Sequence, residues 1–374
     1  MKRVFITSIV ALLFLFSCTN RQTKSTKKTV DKNIENVSSK KQDSLFLADL
    51  DTRLLANPND VNLLVKRSNR LLKVFLKTTD EEYLYKSKQD AAKAFRLDSN
   101  NYEARMAYTE ALSRTPILNA QEIQNVYRHY TWLLNKKKTP KAYVGLASYY
   151  THTQNPEKGI EFADKALRLD VKYRDAYAIK STLFLQMQKP SLAISSLETA
   201  VQQDNEFIIG YMQLANLYTI QKKYPIALER FKNVLVLNKN STEALYGIAM
   251  SNQMLNNFKE AKTTYRTLLE KDPKHFLAYY NLGYIHQYHD QDIDSAMIYY
   301  TKSIDLFPEN VKLIAPPLLK LHLTKANYHL GQCYEQKKDI SRALLSYGKS
   351  LKYDPDFELS QNRVKELKKD VYKK

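Results

Sequence analysis

His286 and His289, followed by Asp290, Asp292 and Asp294, place imidazole and carboxylate ligands within nine residues. Such a set can bind zinc or another divalent ion. It equally suits a polar turn between two helices, with Asp294 capping the second. The turn is the simpler assignment, so no metal and no cofactor are assigned. The only thiols are Cys18 and Cys333. A catalytic thiol needs a poised base, and nothing local to Cys333 supplies one. Between Gln332 and Tyr334 in a helical pattern, it reads as a small buried hydrophobe. No phosphate-cradling glycine loop, G-x-S-x-G elbow or H-E-x-x-H pair is present. An enzyme is not expected.

Cys18 has a different setting. Lys2 and Arg3 precede an uncharged run from Val4 to Phe16. That run is shorter than the roughly 20 residues a membrane span requires. It fits the apolar core of a signal peptide, about 7–15 residues. Its end, Leu15-Phe16-Ser17-Cys18, resembles the lipobox of bacterial lipoproteins, although Phe16 is bulkier than that motif usually carries. The resemblance implies a signal peptide over 1–17, lipidation of Cys18, and a mature chain attached to membrane through its lipid. By the retention rule of enterobacterial lipoproteins, Thr19 instead of Asp implies the outer membrane. The basic residues Arg21, Lys24, Lys27 and Lys28 imply a periplasm-facing protein. Residues 18–42 read as a flexible basic tether. The chain's +19 charge (58 basic, 39 acidic residues) suits nucleic acid or an anionic surface. An exported lipoprotein leaves the surface, and no nucleic-acid partner is expected.

What remains is long enough for a large fold. The chain is 44% hydrophobic and 26% charged, a globular composition. Only 7 Gly and 11 Pro occur among 374 residues, too few for the turns of many short strands, so the fold should be all-α. Tyr143, Tyr177 and Tyr211 are 34 residues apart, and Leu245 continues the series. Gly159, Ala193, Ala227 and Ala261 keep the same step. "YMQLANLY", "YYNLGYIH" and "ANYHLGQCYEQ" supply Leu214-Ala215-Tyr218, Leu282-Gly283 and Leu330-Gly331-Tyr334. Ala227/Phe231, Ala296/Tyr300/Pro308 and Ala343/Tyr347/Pro355 come next, the middle set after a one-residue insertion.

This pattern resembles the tetratricopeptide repeat, a pair of helices every 34 residues. The resemblance implies a right-handed α-solenoid of about eight helix-turn-helix repeats. Small residues (Ala147, Ala215, Ala249, Gly283, Gly331) would let paired helices approach, while large aromatics, Tyr211 and Tyr218 among them, fill the core. Residues 43–139 read as a leading helix (43–57) and two diverged repeats, 61–99 and 100–138. The first carries an insertion around Thr78 to Tyr85, the second a longer loop around Thr115 to Ala120. The array proper spans 140–357. A further insertion with Pro316-Pro317 ends in "LLKLHL", which extends the first helix of the last repeat. Residues 358–374 form a C-terminal capping helix.

Tetratricopeptide arrays bind partners in the groove lined by first helices. The resemblance assigns the groove to Met212 and Asn216; Tyr246, Met250 and Met254; Tyr280, Tyr284 and Tyr288; and Tyr328. Of the Lys/Asn carboxylate clamp found in chaperone-binding members, only Asn216 matches. The groove is instead rich in Tyr and Met, residues suited to recognition. The expected function is a lipid-anchored scaffold or adaptor for proteins of the bacterial envelope, in assembly of an envelope or secretion complex. The partner would be an envelope protein or peptide segment. A glycan- or peptidoglycan-binding module, with tyrosines as stacking platforms, is the alternative.

Overall fold

The computed structural model describes residues 34–372, except 79, 116–118, 154 and 308–316. The expected signal peptide, Cys18 and tether residues 18–33 lie outside the described residues. The described chain is all-α, with eighteen helices and no strand. None of these helices is long and apolar enough to cross a membrane.

A leading helix, α1 (Ile34–Ala56), precedes eight pairs. They are α2 (Val61–Thr78) with α3 (Glu81–Leu97), and α4 (Tyr102–Ser113) with α5 (Ala120–Lys136). Next come α6 (Pro140–Tyr149) with α7 (Pro156–Leu169), and α8 (Arg174–Gln186) with α9 (Pro190–Gln203). Then α10 (Ile208–Ile220) pairs with α11 (Tyr224–Leu237), and α12 (Thr242–Met254) with α13 (Phe258–Lys271). The last pairs are α14 (Phe276–Ile285) with α15 (Ile293–Asp305), and α16 (Pro317–Gln336) with α17 (Ile340–Tyr353). Helix α18 (Glu358–Tyr372) ends the series.

Two turn chemistries repeat. Between pairs stands Asp98, Asp170, Asp204, Asn238, Asp272 or Asp354, each just past the end of its helix. Its Oδ1 accepts the N–H two residues on, at 2.9–3.2 Å. This Asx turn stops one helix and aims the next. Within pairs, Gln188, Lys222, Asn256, Gln291 and Lys338 take left-handed φ of 58–61°. The following N–H then reaches back to close the helix end: Lys189 to Phe184 O and Lys223 to Tyr218 O, both 2.8 Å. Glycine usually fills such positions; here none does.

The predicted small contacts are buried. Ala147, Ala215, Ala227 and Ala249 have no exposed surface. At Gly283 and Gly331 an added Cβ would meet the rings of Tyr300 and Tyr347 at 2.9 and 2.6 Å. Tyr265, Tyr300 and Tyr347, all on second helices, are fully buried. Their hydroxyls donate to Gln253 (2.9 Å) and Glu335 (2.6 Å) on the first helix of the same pair, and to Gln287 (2.9 Å) in the turn that follows α14. The partner lies 12 residues upstream in the outer two cases and 13 in the middle one. The inserted residue is absorbed by a π-helical turn at His286–Asp290, so the contact survives.

Several expectations are corrected. Helix α1 begins at Ile34, so residues 34–42 are helix and not flexible tether. No Pro or Gly interrupts α1, and a helix propagates readily from a packed nucleus. That nucleus includes buried Leu50 and Leu54, Asp43 paired with Arg70 of α2, and Arg67 reaching Asp51 and Asp90 at 2.7 Å. The insertion near 78–85 lengthens α2 and α3 instead of looping out, with Asp80 capping α3. Tyr211 and Tyr218 are only half-buried, because Leu214, Ala215 and Leu217 take the enclosed positions of α10. The chain divides into two compact units between Gln213 and Leu214. Ala142 and Leu146 of α6 share one apolar cluster with Val126, Tyr130 and Leu133 of α5, so packing continues where the sequence pattern weakens.

Candidate functional site: a tyrosine strip on first helices

The assigned groove residues distribute over both units. Met212 belongs to the first and Asn216 to the second, and both are half-buried. The other seven lie in the second unit, on α12, α14, the π turn that follows α14, and α16. Met254, Tyr284 and Tyr288 are exposed, at 51%, 38% and 46%. Tyr246, Met250, Tyr280 and Tyr328 are half-buried.

Half-burial has identifiable causes. The Tyr246 ring lies 5.0 Å from His275, and its hydroxyl accepts from Asn281 Nδ2 at 3.3 Å. Burial raises its pKa above the usual phenol value. Tyr280 packs against Tyr300 (5.7 Å), His322 (5.1 Å) and His329 (5.8 Å). Tyr328 lies between Tyr347 (5.7 Å) and Phe357 (5.5 Å). These three tyrosines form the floor of the strip, and Tyr284 with Tyr288, 4.7 Å apart, forms its exposed surface.

His329, which sequence reasoning missed, organises this surface. Its ring lies within 5.9 Å of Tyr280, Tyr284, Tyr288, Tyr300 and Tyr328, stacking flat on Tyr300. Tyr288 Oη donates to Gln332 Oε1 at 2.7 Å, and Gln332 Nε2 donates to Tyr328 Oη at 3.1 Å. His329 Nδ1 lies 3.0 Å from both the Tyr288 hydroxyl and Gln332 Oε1. With the phenolic proton given to Gln332, the network places the imidazole proton on Nδ1, donating to the same oxygen. Burial holds the His329 pKa down at about 4, so the ring is neutral at pH 7. Burial also pushes Tyr288 up to about 12. The strip is therefore formally uncharged and fixed by its own hydrogen bonds. A signal was available: His329 stands just before Leu330, where Asn281 stands before Leu282 and bonds the preceding pair's Tyr246.

The histidine–aspartate run forms the π turn. His286 is buried and stacks on Tyr299 at 5.3 Å, while His289 stacks on Phe258 at 4.1 Å. Lys262 Nζ occupies Asp290 at 2.5 Å. Asp292, not Asp294, caps α15, accepting from Ser295 N at 3.1 Å; Asp294 pairs instead with Lys337 at 2.7 Å. Asp292 stands four residues before Ala296, as Asn257 stands before Ala261 and Asp339 before Ala343, so the cap keeps the register of the repeat. Among the described residues no group of three His, Cys, Asp or Glu is gathered as a metal site. Cys333 is fully buried, which pushes its thiol up to about 12.

Tetratricopeptide-repeat family models match residues 140–172, 243–275, 277–310 and 324–357. Anaphase-promoting complex subunit 3 of Schizosaccharomyces pombe is 22% identical over 232 residues, 61% of this chain and 32% of the relative. The BBSome complex member BBS4 of Bos taurus is 27% identical over 157 residues, 41% of this chain and 30% of the relative. The chain spans about a third or less of the length of the curated relatives it matches. Among solved structures, the C-terminal part of a TPR repeat-containing protein from Cytophaga hutchinsonii aligns with a TM-score of 0.56 at 16% identity, covering 69% of this chain and 98% of that one. The APC/C hetero-tetramer Cut9–Hcn1 aligns at 0.53 and 13% identity, covering 96% and 62%. At such identities the likeness is one of fold. The chain carries tetratricopeptide repeats, and its helical pairs are the all-α solenoid fold that those repeats build.

Proposed function

We propose that this chain is a lipid-anchored, non-catalytic scaffold that holds segments of other proteins on the first-helix strip of its second unit, at the bacterial outer membrane facing the periplasm. Binding of protein segments is the role that tetratricopeptide repeats support. The observation that carries the site is the Tyr284–Tyr288 surface, exposed yet fixed from beneath by His329 and Gln332. Rigid aromatic side chains give contact area at low entropy cost, which favours recognition. Peptide is preferred to glycan because the Tyr288 and Tyr328 hydroxyls are already committed to Gln332. Few polar groups are left to read sugar hydroxyls. Anchoring rests on the Leu15–Cys18 motif, and location on Thr19 and the basic residues Arg21, Lys24, Lys27 and Lys28. A place in assembling an envelope or secretion complex rests on anchor and fold together.

Two experiments test the reading. Cells fed an alkyne fatty acid should label the wild-type chain and not Cys18→Ser; equal labelling removes the anchor. Crosslinking from envelope extract should recover partners with the wild type and lose them with Tyr284→Ala/Tyr288→Ala. Full recovery by that variant, with an unchanged melting curve, removes the strip.

A further inference from the structure

The first helix of the last pair is longer than its equivalents: α16 has 20 residues, whereas α10 and α12 have 13 and α14 has 10. The additional turns are not a frayed end. His322 is buried, and its Nε2 lies 2.9 Å from Ser303 Oγ, which donates to Phe276 O at 2.8 Å. Leu323 is fully buried and Leu319 packs against the same core. The opposite side carries Leu318 and Leu321, 56% and 41% exposed, and the exposed Lys325. Residues seven apart on a helix share a stripe. Leu318, Lys325 and Gln332 form one such line, and Leu321 and Tyr328 the adjacent one. The tyrosine strip therefore continues past Tyr328 onto an anchored helical extension with no covering element among the described residues.

Lys325 sets the chemistry of what lies there. It is the one charged side chain on these lines between Leu318 and Gln332, since Glu335, seven residues past Tyr328, is already held by Arg363 and Tyr347, and no described residue offers Lys325 a carboxylate. A segment that covers Leu318 and Leu321 also takes the Lys325 ammonium out of water, which is unfavourable unless a counter-charge arrives with it. The tyrosines and Gln332 beyond it carry no charge that could pair with a second one. A chain-terminal carboxylate is best held by several converging donors, and here one cation stands alone. We propose that the α16 extension docks an internal segment of a partner protein with two apolar side chains over Leu318 and Leu321 and one Asp or Glu side chain at Lys325. This rests on the strip being a protein-binding site and specifies what reaches its end.

The test uses the full chain in detergent and a phage library of 12-residue peptides displayed with both ends fused. Selected peptides should share apolar positions and one acidic residue, and should lose affinity tenfold or more on Lys325→Glu and on Leu318→Ser/Leu321→Ser. Reselection on Lys325→Glu should replace the acidic residue with Lys or Arg. These three side chains are exposed, so melting curves should match the wild type. If the peptides bind both extension variants unchanged but are lost on Tyr284→Ala/Tyr288→Ala, the extension proposal fails and the strip stands. If no peptide is selected, or all variants bind alike, both fail. If reselection still yields acidic peptides, the pairing with Lys325 is wrong.

Discussion

Tyr300 and Tyr284 come from one helical pair and serve opposite ends. Tyr300, on the second helix, is fully enclosed, gives its proton to Gln287 and presses on Gly283. Tyr284, on the first helix, exposes its ring and leans on Tyr288 and His329. The residue type is the same, but the helix face decides whether it holds the fold or presents a surface. His329 joins the two, stacking on Tyr300 and meeting Tyr284 edge-on.

The strongest way to break this comparison is truncation. Tyr300→Ala should cost about 3–5 kcal/mol of stability, as expected for a large buried aromatic. Tyr284→Ala should stay within about 0.5 kcal/mol, as at an exposed site. Denaturant titrations decide; equal losses would erase the distinction. A buried arginine at Ala227, Ala227→Arg, should match or exceed the Tyr300 loss, since the site has no exposed surface. A coincident melt would overturn the repeat register.

Acid acts on the layer that joins the two regions. His322 and His329 are held neutral by burial, both down to about 4, against an ordinary value of 6.5. The unfolded chain therefore takes up these protons first as pH falls. Stability is complete above pH 6.5 and declines between 6.5 and 4, by up to about 3 kcal/mol for each ring. Replacing both, His322→Asn/His329→Asn, should flatten melting temperature against pH in that window. An unchanged slope would mean other groups dominate.

Finer changes sharpen the comparison. Tyr265→Phe removes only the hydroxyl bond to Gln253 and should cost about 1 kcal/mol, while Tyr284→Phe should cost nothing measurable. Lys222→Gly should stabilise slightly, by about 0.5 kcal/mol. Relief of left-handed strain, about 1–2 kcal/mol, outweighs the glycine's greater unfolded freedom of about 0.5–1 kcal/mol. Loss of stability there would show that the turn depends on the lysine itself.

The repeat was legible because packing repeats: Ala227, Gly283, Tyr300 and Tyr347 recur where close contact recurs. The inserted residue before Asp294 was visible too, although not its form, since a π turn and a longer loop have the same length in sequence. His329 was hidden because the position before Leu330 varies from pair to pair and acts on the preceding pair. Exposure of Tyr211 and Tyr218 was misjudged because a periodic aromatic looks the same whether its neighbours enclose it or not. The start of α1 at Ile34 escaped because polar, charged residues compatible with a tether are equally compatible with helix.

The enclosure of Cys333 turns the protein into its own recorder of opening. In a Cys18→Ser chain it is the single thiol, and at neutral pH almost none of it is thiolate while the fold is closed. An alkylating reagent can reach it only when α16 leaves its neighbours. When reclosing outruns alkylation, the labelling rate measures the population of that open state, so it reads the free energy of local opening without denaturant. A bound segment that spans the strip should slow the labelling in proportion to its occupancy.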